Sequence, residues 1–201
     1  ELDLGNPGKI NFLLYQIKPD VIVHAAAVSK PALCAKFPKK AEIVNVKATR
    51  EIAQWCRINS ARLIFTSTDT VYSGTKPVYK ENDHLDPVNK YGTTKVAAEK
   101  IITDLCEDYI ILRLALLYGR GVYNREYSSQ WLERDLLAAD KNEQEQINLY
   151  VDQYRSMIAV KNVAAVVAEL IDSQICGILN IGGPESINRY EFGRLLCRKL
   201  G

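Results

Sequence analysis

The feature that most constrains the fold is an alternation of short apolar segments with stretches of helical periodicity over the first half of the chain. Each apolar segment has the length and composition of a strand buried on both faces. This alternation predicts an α/β fold built on a doubly wound parallel sheet. The predicted strands are residues 20–27, 62–67 and 108–115, and the predicted helices are residues 7–17, 39–58 and 88–107.

The pattern weakens after Tyr118, which predicts a smaller lobe beyond the sheet-forming part. Asn188 and Glu191 have the spacing of a capping box and indicate the start of the last helix. We therefore divide the chain into residues 1–118 and 119–201, with an interleaved boundary. The smaller lobe has predicted helices at residues 128–139, 162–172 and 188–200 and predicted strands at residues 147–151, 157–160 and 177–183.

Composition and charge exclude several classes of function. The 201 residues are 47% hydrophobic and 25% charged, with a net charge of +2, as in an ordinary globular domain. The sequence has no basic run typical of nucleic-acid binding and no apolar run long enough to span a membrane. The five cysteines are widely spaced and the two histidines lack ligand-like neighbours. We predict reduced thiols, no metal site and a cytoplasmic location.

A candidate proton-transfer site is formed by Thr68, at the end of a predicted strand, and by Tyr91 and Lys95 on the helix that follows. Tyr91 and Lys95 are four residues apart, so they lie on one face of that helix. An ammonium group near a phenol favours the phenolate, and we expect Lys95 to lower the pKa of Tyr91 toward the range of a general acid/base.

The spacing alone is weak evidence, because 11 Tyr residues in this chain give roughly one such match by chance. Tyr72 and Lys76 form a second match, but Gly74 and Pro77 indicate a loop there. Context favours Tyr91, since ligands bind at the carboxyl ends of strands in doubly wound sheets. Three predicted strand ends meet there: residues 25–27, 66–70 and 114–118.

One expected element is absent from the sequence. A nucleotide-binding domain of this kind normally begins with a strand, a glycine-rich turn and a helix that receives the pyrophosphate. No glycine-rich fingerprint follows a predicted strand in this chain, since Gly119 and Gly121 come too late and Gly182 and Gly183 form a turn.

Several ordered segments carry a family resemblance that covers most of the chain. They are Lys18–Ala27, Val44–Val46, Ser67–Tyr72, Tyr91–Lys95, Leu112–Leu114, Tyr118–Gly119 and Asn180–Gly183. Together they resemble the extended short-chain dehydrogenase/reductase family, and within it most closely the dTDP-4-dehydrorhamnose reductase branch. The resemblance implies a Rossmann-like domain over residues 1–118, whose N-terminal glycine-rich βαβ unit is missing from this chain, and a substrate-binding lobe over residues 119–201.

The resemblance also implies roles for individual residues. Thr68 would bind the substrate oxygen that undergoes redox, Tyr91 would exchange its proton, and Lys95 would bind the nicotinamide ribose. NAD or NADP is the implied cofactor, contacted also by Asp3, Ala25, Ala26, Ala27 and Ser67. A nucleotide-sugar is the implied substrate, contacted also by Asp69 and by Arg155, whose guanidinium suits a diphosphate. Asn45 would brace the strand ends.

Three functions remain open under this resemblance. The leading one is an NAD(P)-dependent reductase of a nucleotide-linked keto-sugar, and an epimerase would use the same three catalytic residues. Thr70 disfavours a dehydratase, because those enzymes carry Glu at this position, and it also departs from the rhamnose reductase branch, which usually has an aromatic residue there. The third is a regulatory subunit that keeps the fold without catalysis, and the two long helices allow a homodimer.

Overall fold

The computed structural model describes residues 2–120, 128–141 and 146–200. The chain divides into two compact units that interleave in sequence. The first comprises Glu1–Arg113 and Leu170–Asn180, and the second comprises Leu114–Glu169 and Ile181–Gly201. The functional division after residue 118 stays a prediction.

Helices and strands alternate through the first unit, as predicted. In chain order, the elements up to the third strand are α1 (Pro7–Ile17), β1 (Val21–His24), α2 (Pro31–Lys36), α3 (Pro38–Glu42), α4 (Ala48–Asn59), β2 (Arg62–Thr68), α5 (Lys90–Leu105) and β3 (Tyr109–Leu114). The remaining elements are β4 (Leu117–Tyr118), α6 (Ser128–Lys141), β5 (Tyr154–Arg155), β6 (Ile158–Ala159), α7 (Val160–Ile171), β7 (Gly177–Ile181), β8 (Ile187–Asn188) and α8 (Arg189–Leu200).

The central sheet has the strand order β1-β2-β3-β7. β1 and β2 are parallel, with Val21 opposite Arg62 and His24 opposite Phe65. The strands are joined through helices, as parallel neighbours require. The predicted Rossmann-like α/β fold is confirmed.

The core of the first unit lies between this sheet and the helices α1, α4 and α5. Phe65 on β2 is fully buried, and α4 and α5 contribute their apolar faces to the same cluster. The other members include Ile10, Leu14, Ile52, Trp55, Leu63, Ala98, Ile102 and Ile111. The helical periodicity of residues 39–58 and 88–107 is therefore explained at least in part by packing within the chain.

Two sequence predictions differ from the structure in this unit. The strand predicted over residues 20–27 ends at His24, and the three alanines that follow it are not in a strand. The single helix predicted over residues 39–58 is instead α3, a π-helical turn at Ile43–Lys47 and α4. Apolar spacing continues across the π-helical turn, so periodicity alone does not reveal it.

The second unit contains two short strand pairs. β4 pairs with β6 in parallel, and β5 pairs with β8 antiparallel. The strand predicted at residues 147–151 is wrong. There the Tyr150 carbonyl accepts a hydrogen bond from the backbone N–H of Tyr190 near the start of α8, so this main-chain group is not used in a ladder. In the described part of the chain, no helix combines the length and hydrophobicity needed to cross a bilayer.

Candidate active site

The carboxyl end of β2 carries two buried hydroxyl side chains, Ser67 and Thr68. The Thr68 hydroxyl oxygen accepts a hydrogen bond from the backbone N–H of Thr70 at 3.2 Å and lies 3.1 Å from the Thr70 hydroxyl. It caps the 3₁₀ turn Asp69–Val71 in this way. The hydroxyl predicted to contact substrate is thus held at a strand end, where ligands bind in this class of fold.

The first turn of α5 packs directly against that strand end. Asn89 caps the helix, because its side-chain oxygen accepts a hydrogen bond from the backbone N–H of Gly92 at 2.8 Å. A methyl group on Gly92 would collide with the carbonyl oxygen of Thr70. Glycine is therefore required for α5 to begin this close to the turn after β2, and Tyr91 lies in that first turn.

Lys95 is a buried cation, with 1% of its surface exposed. Its Nζ lies 3.7 Å from the centroid of the Phe65 ring, which gives the ammonium a cation–π contact. Burial lowers the pKa of Lys95 to about 7, against an opposing effect of the Glu99 carboxylate. Burial also lowers the pKa of His24 to about 3, and Lys95 adds to that decrease. The neighbouring imidazole is therefore neutral near pH 7.

The expected pKa of Tyr91 is not what the structure gives. Burial, together with smaller effects of the neighbouring Cys34 and Asp69, raises the pKa of Tyr91 to about 12. The prediction that Lys95 lowers this pKa is wrong for the protein as described. The helical spacing placed the two side chains on one face, but it carried no information about burial, which dominates here.

Asn45 braces the loop after β1 against α5, as the resemblance suggested. Its side-chain oxygen accepts a hydrogen bond from the backbone N–H of Val28 at 2.8 Å, and its amide nitrogen donates to Thr94 at 2.9 Å. The Thr94 hydroxyl in turn donates to the carbonyl of Tyr91 at 2.7 Å. Asn45 lies in the π-helical turn, a distortion that often marks functional sites.

A buried ion pair behind the site was missed by the sequence reasoning. Glu99 follows Lys95 by one helical turn, and its carboxylate accepts hydrogen bonds from Arg113 at 2.8, 3.1 and 3.3 Å. Ser67 also donates to Glu99. Arg113 donates further to the Tyr72 hydroxyl at 2.7 Å. This network, Ser67–Glu99–Arg113–Tyr72, links β2, α5 and β3, and only the strand order brings its members together.

The remaining predicted cofactor contacts are open to solvent to different degrees. Ala25 and Ala26 are exposed and Ala27 is half-buried, directly after the carboxyl end of β1. Small side chains there leave the backbone accessible to a ligand. Asp3 is exposed, and its carboxylate accepts a hydrogen bond from the backbone N–H of Gly5 at 2.8 Å. In the described residues, no cluster of side chains suitable for a metal ion is found.

Arg155 lies in the second unit, on β5, and is half-buried. Arg189, which the sequence reasoning did not single out, follows β8, the strand that pairs with β5. The sequence does not indicate that Arg189 lies near Arg155, because strands of two residues have no periodic pattern from which their pairing could be predicted.

A Rossmann-like sheet, with a hydroxyl at a strand end and a Tyr–Lys pair on the next helix, defines the class of extended short-chain dehydrogenase/reductase-like proteins. The chain belongs to the RmlD substrate binding domain family, whose model matches residues 1–201. The predicted family resemblance is confirmed.

Individual relatives differ in their described activities. The chain is 28% identical to a probable low-salt glycan biosynthesis reductase, Agl14, of Haloferax volcanii, over 100% of this chain and 66% of that protein. It is 31% identical to the methionine adenosyltransferase 2 subunit beta of Bos taurus, over 95% of this chain and 58% of that protein. The chain thus spans somewhat less than two thirds of these curated relatives.

A solved structure agrees closely with the fold. The dTDP-4-dehydrorhamnose reductase of Bacillus anthracis, crystallised in complex with NADP, superposes with a TM-score of 0.88 at 27% sequence identity. The match covers 98% of this chain and 68% of that chain.

Proposed function

We propose that this chain forms the catalytic and substrate-binding part of an NAD(P)-dependent reductase acting on a nucleotide-linked keto-sugar. The observation that carries the proposal is the arrangement of Thr68 at the carboxyl end of β2 and of Tyr91 and Lys95 on α5, whose first turn packs on that strand end. Membership of a reductase-containing family supports it.

A bound nicotinamide cofactor in its reduced form would supply the hydride for reduction of the substrate carbonyl. Thr68 donates a hydrogen bond to the carbonyl oxygen, and Tyr91 transfers its hydroxyl proton to that oxygen. The raised pKa of Tyr91 keeps the phenol protonated before the transfer. Lys95 would bind the ribose hydroxyls of the cofactor.

The residues available fit a nicotinamide cofactor. The buried ammonium of Lys95, whose pKa of about 7 lies far below its usual value, gains a partner from ribose hydroxyls. The alanines after β1 allow close approach of the ligand to the main chain. Arg155 is assigned to the diphosphate of the substrate, where its planar donors match phosphate oxygens.

The test follows oxidation of NADH or NADPH by absorbance, with the full-length protein and a panel of 4-keto nucleotide-sugars. We expect Tyr91→Phe to lower turnover by about 10²- to 10⁴-fold, because the proton donor is lost. The matched control is Tyr15→Phe, an exposed tyrosine on α1, which should leave turnover unchanged. Unchanged turnover in Tyr91→Phe would contradict the assignment. Tightly bound cofactor with interconversion of sugar epimers and no net oxidation would identify an epimerase instead.

A regulatory subunit is the second candidate, and the similarity to the methionine adenosyltransferase 2 subunit beta favours it. Under this function the chain acts through contacts with another protein. Copurification of the full-length protein with a stoichiometric partner, together with no cofactor oxidation for any sugar offered, would favour this candidate over the reductase.

A further inference from the structure

The candidate site contains a buried cation and a buried carboxylate on one helix that are not paired with each other. Lys95 and Glu99 are four residues apart on α5, so they lie on one face, and both are almost fully buried. In the described part of the chain, Lys95 makes no ion pair and no hydrogen bond, and its Nζ contacts the Phe65 ring instead. Opposite charges at this spacing attract each other, so their separation requires a cause.

The Glu99 carboxylate is held by Arg113 of β3. The guanidinium donates to both carboxylate oxygens, at 2.8, 3.1 and 3.3 Å, and such a two-pronged contact fixes the direction of the carboxylate. Ser67 of β2 donates a further hydrogen bond to the same carboxylate. The Glu99 side chain is therefore satisfied by donors from two neighbouring strands, and none of them comes from Lys95.

Arg113 is itself fixed from its other side. Its Nη1 donates to the Tyr72 hydroxyl at 2.7 Å and to the main-chain carbonyl of Glu81 at 2.8 Å. The Tyr72 hydroxyl in turn donates to the side-chain oxygen of Asn180 at 2.8 Å. All three nitrogens of the guanidinium thus have partners. Arg113 cannot turn away from Glu99 without losing several hydrogen bonds, so contacts beyond the ion pair fix the direction of the carboxylate.

In the absence of Arg113, Lys95 is the cation that Glu99 would meet. Bonds from a helix to its side chains tilt toward its amino end, so Glu99 leans toward Lys95, one turn earlier. The other titratable groups beside Lys95 are Tyr91 on α5, with a pKa of about 12, and His24 on β1, with a pKa of about 3, and both are neutral near pH 7. A lysine engaged by a carboxylate would have fewer donors left for the hydroxyl groups of a cofactor.

We propose that Arg113 is a positioning residue, which holds the Glu99 carboxylate away from Lys95 and so keeps the ammonium group free to bind the ribose hydroxyls of NAD(P). This inference rests on the role of Lys95 in the proposed function. It gives the Glu99–Arg113 pair an effect on cofactor affinity in addition to its effect on stability. It also requires that Arg113 affect cofactor affinity only while Glu99 carries a charge.

The first experiment measures binding of NADH and NADPH to the full-length protein by calorimetry. We expect Arg113→Gln to weaken binding by about 10- to 150-fold, because Glu99 then takes up the charge-assisted hydrogen bonds of Lys95. The double variant Arg113→Gln with Glu99→Gln should bind the cofactor as tightly as the wild type does, since no carboxylate remains to engage Lys95. Unchanged affinity in Arg113→Gln would overturn the proposal, as would an equal loss in both variants.

The second experiment requires no cofactor and follows Lys95 by NMR of isotope-labelled lysine side chains during a pH titration. Lys95→Met assigns the signal. The wild-type pKa of Lys95 is about 7, and an ion pair with Glu99 should raise the titration midpoint by about 1 to 3 pH units in Arg113→Gln. The midpoint should stay low in the double variant. Loss of packing alone would not raise it, so an unchanged midpoint in Arg113→Gln would contradict the inference.

Arg62→Gln is the matched control, because Arg62 is also a buried arginine of this sheet but donates to main-chain carbonyls and to Asp108. It should lower stability and leave both the cofactor affinity and the Lys95 midpoint at their wild-type values. A loss of affinity equal to that of Arg113→Gln would show a general effect of instability and would overturn the proposal.

Two further outcomes separate this inference from folding and from catalysis. If Arg113→Gln does not fold, the double variant decides, because it replaces both charges by a neutral pair, and weaker cofactor binding there would overturn the inference. The expected affinities and Lys95 midpoints without turnover of any sugar offered would contradict the proposed reaction and would leave the role of Arg113 standing.

Discussion

A buried arginine lies near each end of β2, but the two arginines have different partners. At the amino end, Arg62 donates to the main-chain carbonyls of Leu170, Ser173 and Ile175 and to the half-exposed Asp108. At the carboxyl end, Arg113 pairs with Glu99, and both side chains are almost fully buried.

The two sets of partners differ in charge: Arg62 donates mainly to neutral carbonyl groups, whereas Arg113 pairs with a carboxylate. Carbonyl groups are neutral, so the contacts of Arg62 bind α7 and the following segment to the sheet without a second buried charge. The Arg113–Glu99 pair instead sets a fixed negative charge one helical turn from Lys95, the buried cation of the candidate site. The amino end of β2 therefore has one buried charge with mainly neutral acceptors, and the carboxyl end has two opposite buried charges next to Lys95.

Removing the acidic partner of each arginine should give the largest contrast in stability. Glu99→Ala leaves Arg113 charged and buried, so we expect a loss of about 3–5 kcal/mol in the free energy of unfolding. Asp108→Ala should cost less than about 1 kcal/mol, because Asp108 is half exposed and the carbonyl partners of Arg62 remain. Urea unfolding of both variants measures this contrast, and equal losses would break the comparison.

Replacing Lys95 should separate function from stability at the carboxyl end. In the proposed reaction Lys95 is the ribose ligand, so Lys95→Met should abolish turnover, yet it also removes a buried ammonium group. At pH 7 we therefore expect its free energy of unfolding to equal or exceed that of the wild type.

The pH dependence of this difference has a defined sign. The pKa of Lys95 is about 7 when folded, against an ordinary lysine value of 10.5. Between these values the unfolded wild-type chain binds a proton that the folded chain lacks, so wild-type stability rises with pH relative to Lys95→Met. Unfolding curves of both proteins between pH 7 and pH 10.5 measure the trend. A difference that is constant over this range would show that Lys95 is not desolvated as described.

Substitution of Gly92 tests how closely α5 must approach the carboxyl end of β2. Gly92→Ala places a methyl group against the carbonyl of Thr70, and we expect a loss of about 1–3 kcal/mol together with reduced turnover. Gly8→Ala in α1 is the control, since a methyl group there meets only Asn6 at 3.6 Å. That substitution should stabilise the protein by about 0.5–1 kcal/mol through helix propensity, as measured by thermal unfolding.

The smallest predicted changes in the free energy of unfolding come from the start of α5 and the end of α4, which lie at the two ends of β2. These two changes have opposite signs. Asn89→Ala removes the cap of α5 and should cost about 1 kcal/mol. Ser60, which follows α4 just before β2, has φ of 52°. Ser60→Gly removes a left-handed strain of about 1 kcal/mol and should stabilise the protein by a similar amount. Denaturant unfolding of the two variants should shift in opposite directions, and loss of stability in both would contradict the strain assigned to Ser60.

Local signals were enough to predict the order of the main elements. Apolar periodicity identified β1, β2, β3 and α5 because each has a continuous pattern of its own. The capping pattern at Asn188 also holds, since its side chain accepts a hydrogen bond from the backbone N–H of Glu191 at 2.7 Å. The position of Thr68 beside the first turn of α5 follows from the parallel sheet and from Gly92.

Features that depend on distant partners could not be predicted in this way. The pairs β4–β6 and β5–β8 have two residues per strand, too few for a periodic pattern. The Glu99–Arg113 pair requires knowledge of which strand lies beside β2. The pKa of Tyr91 depends mainly on burial by surrounding segments. The four-residue spacing predicts only that Lys95 lies on the same helix face, and so it could not predict this pKa.

The contacts of Arg62 also have a consequence for the time course of synthesis. Arg62 and Ile175 are separated by 113 positions in the chain. At a translation rate of about 5–20 residues per second, roughly 6 to 23 seconds pass between the addition of these two residues to the nascent polypeptide. Until the segment from Leu170 to Ile175 is synthesised, a guanidinium that will be buried has none of these carbonyl acceptors, so the amino ends of the strands cannot be fixed to α7 before then.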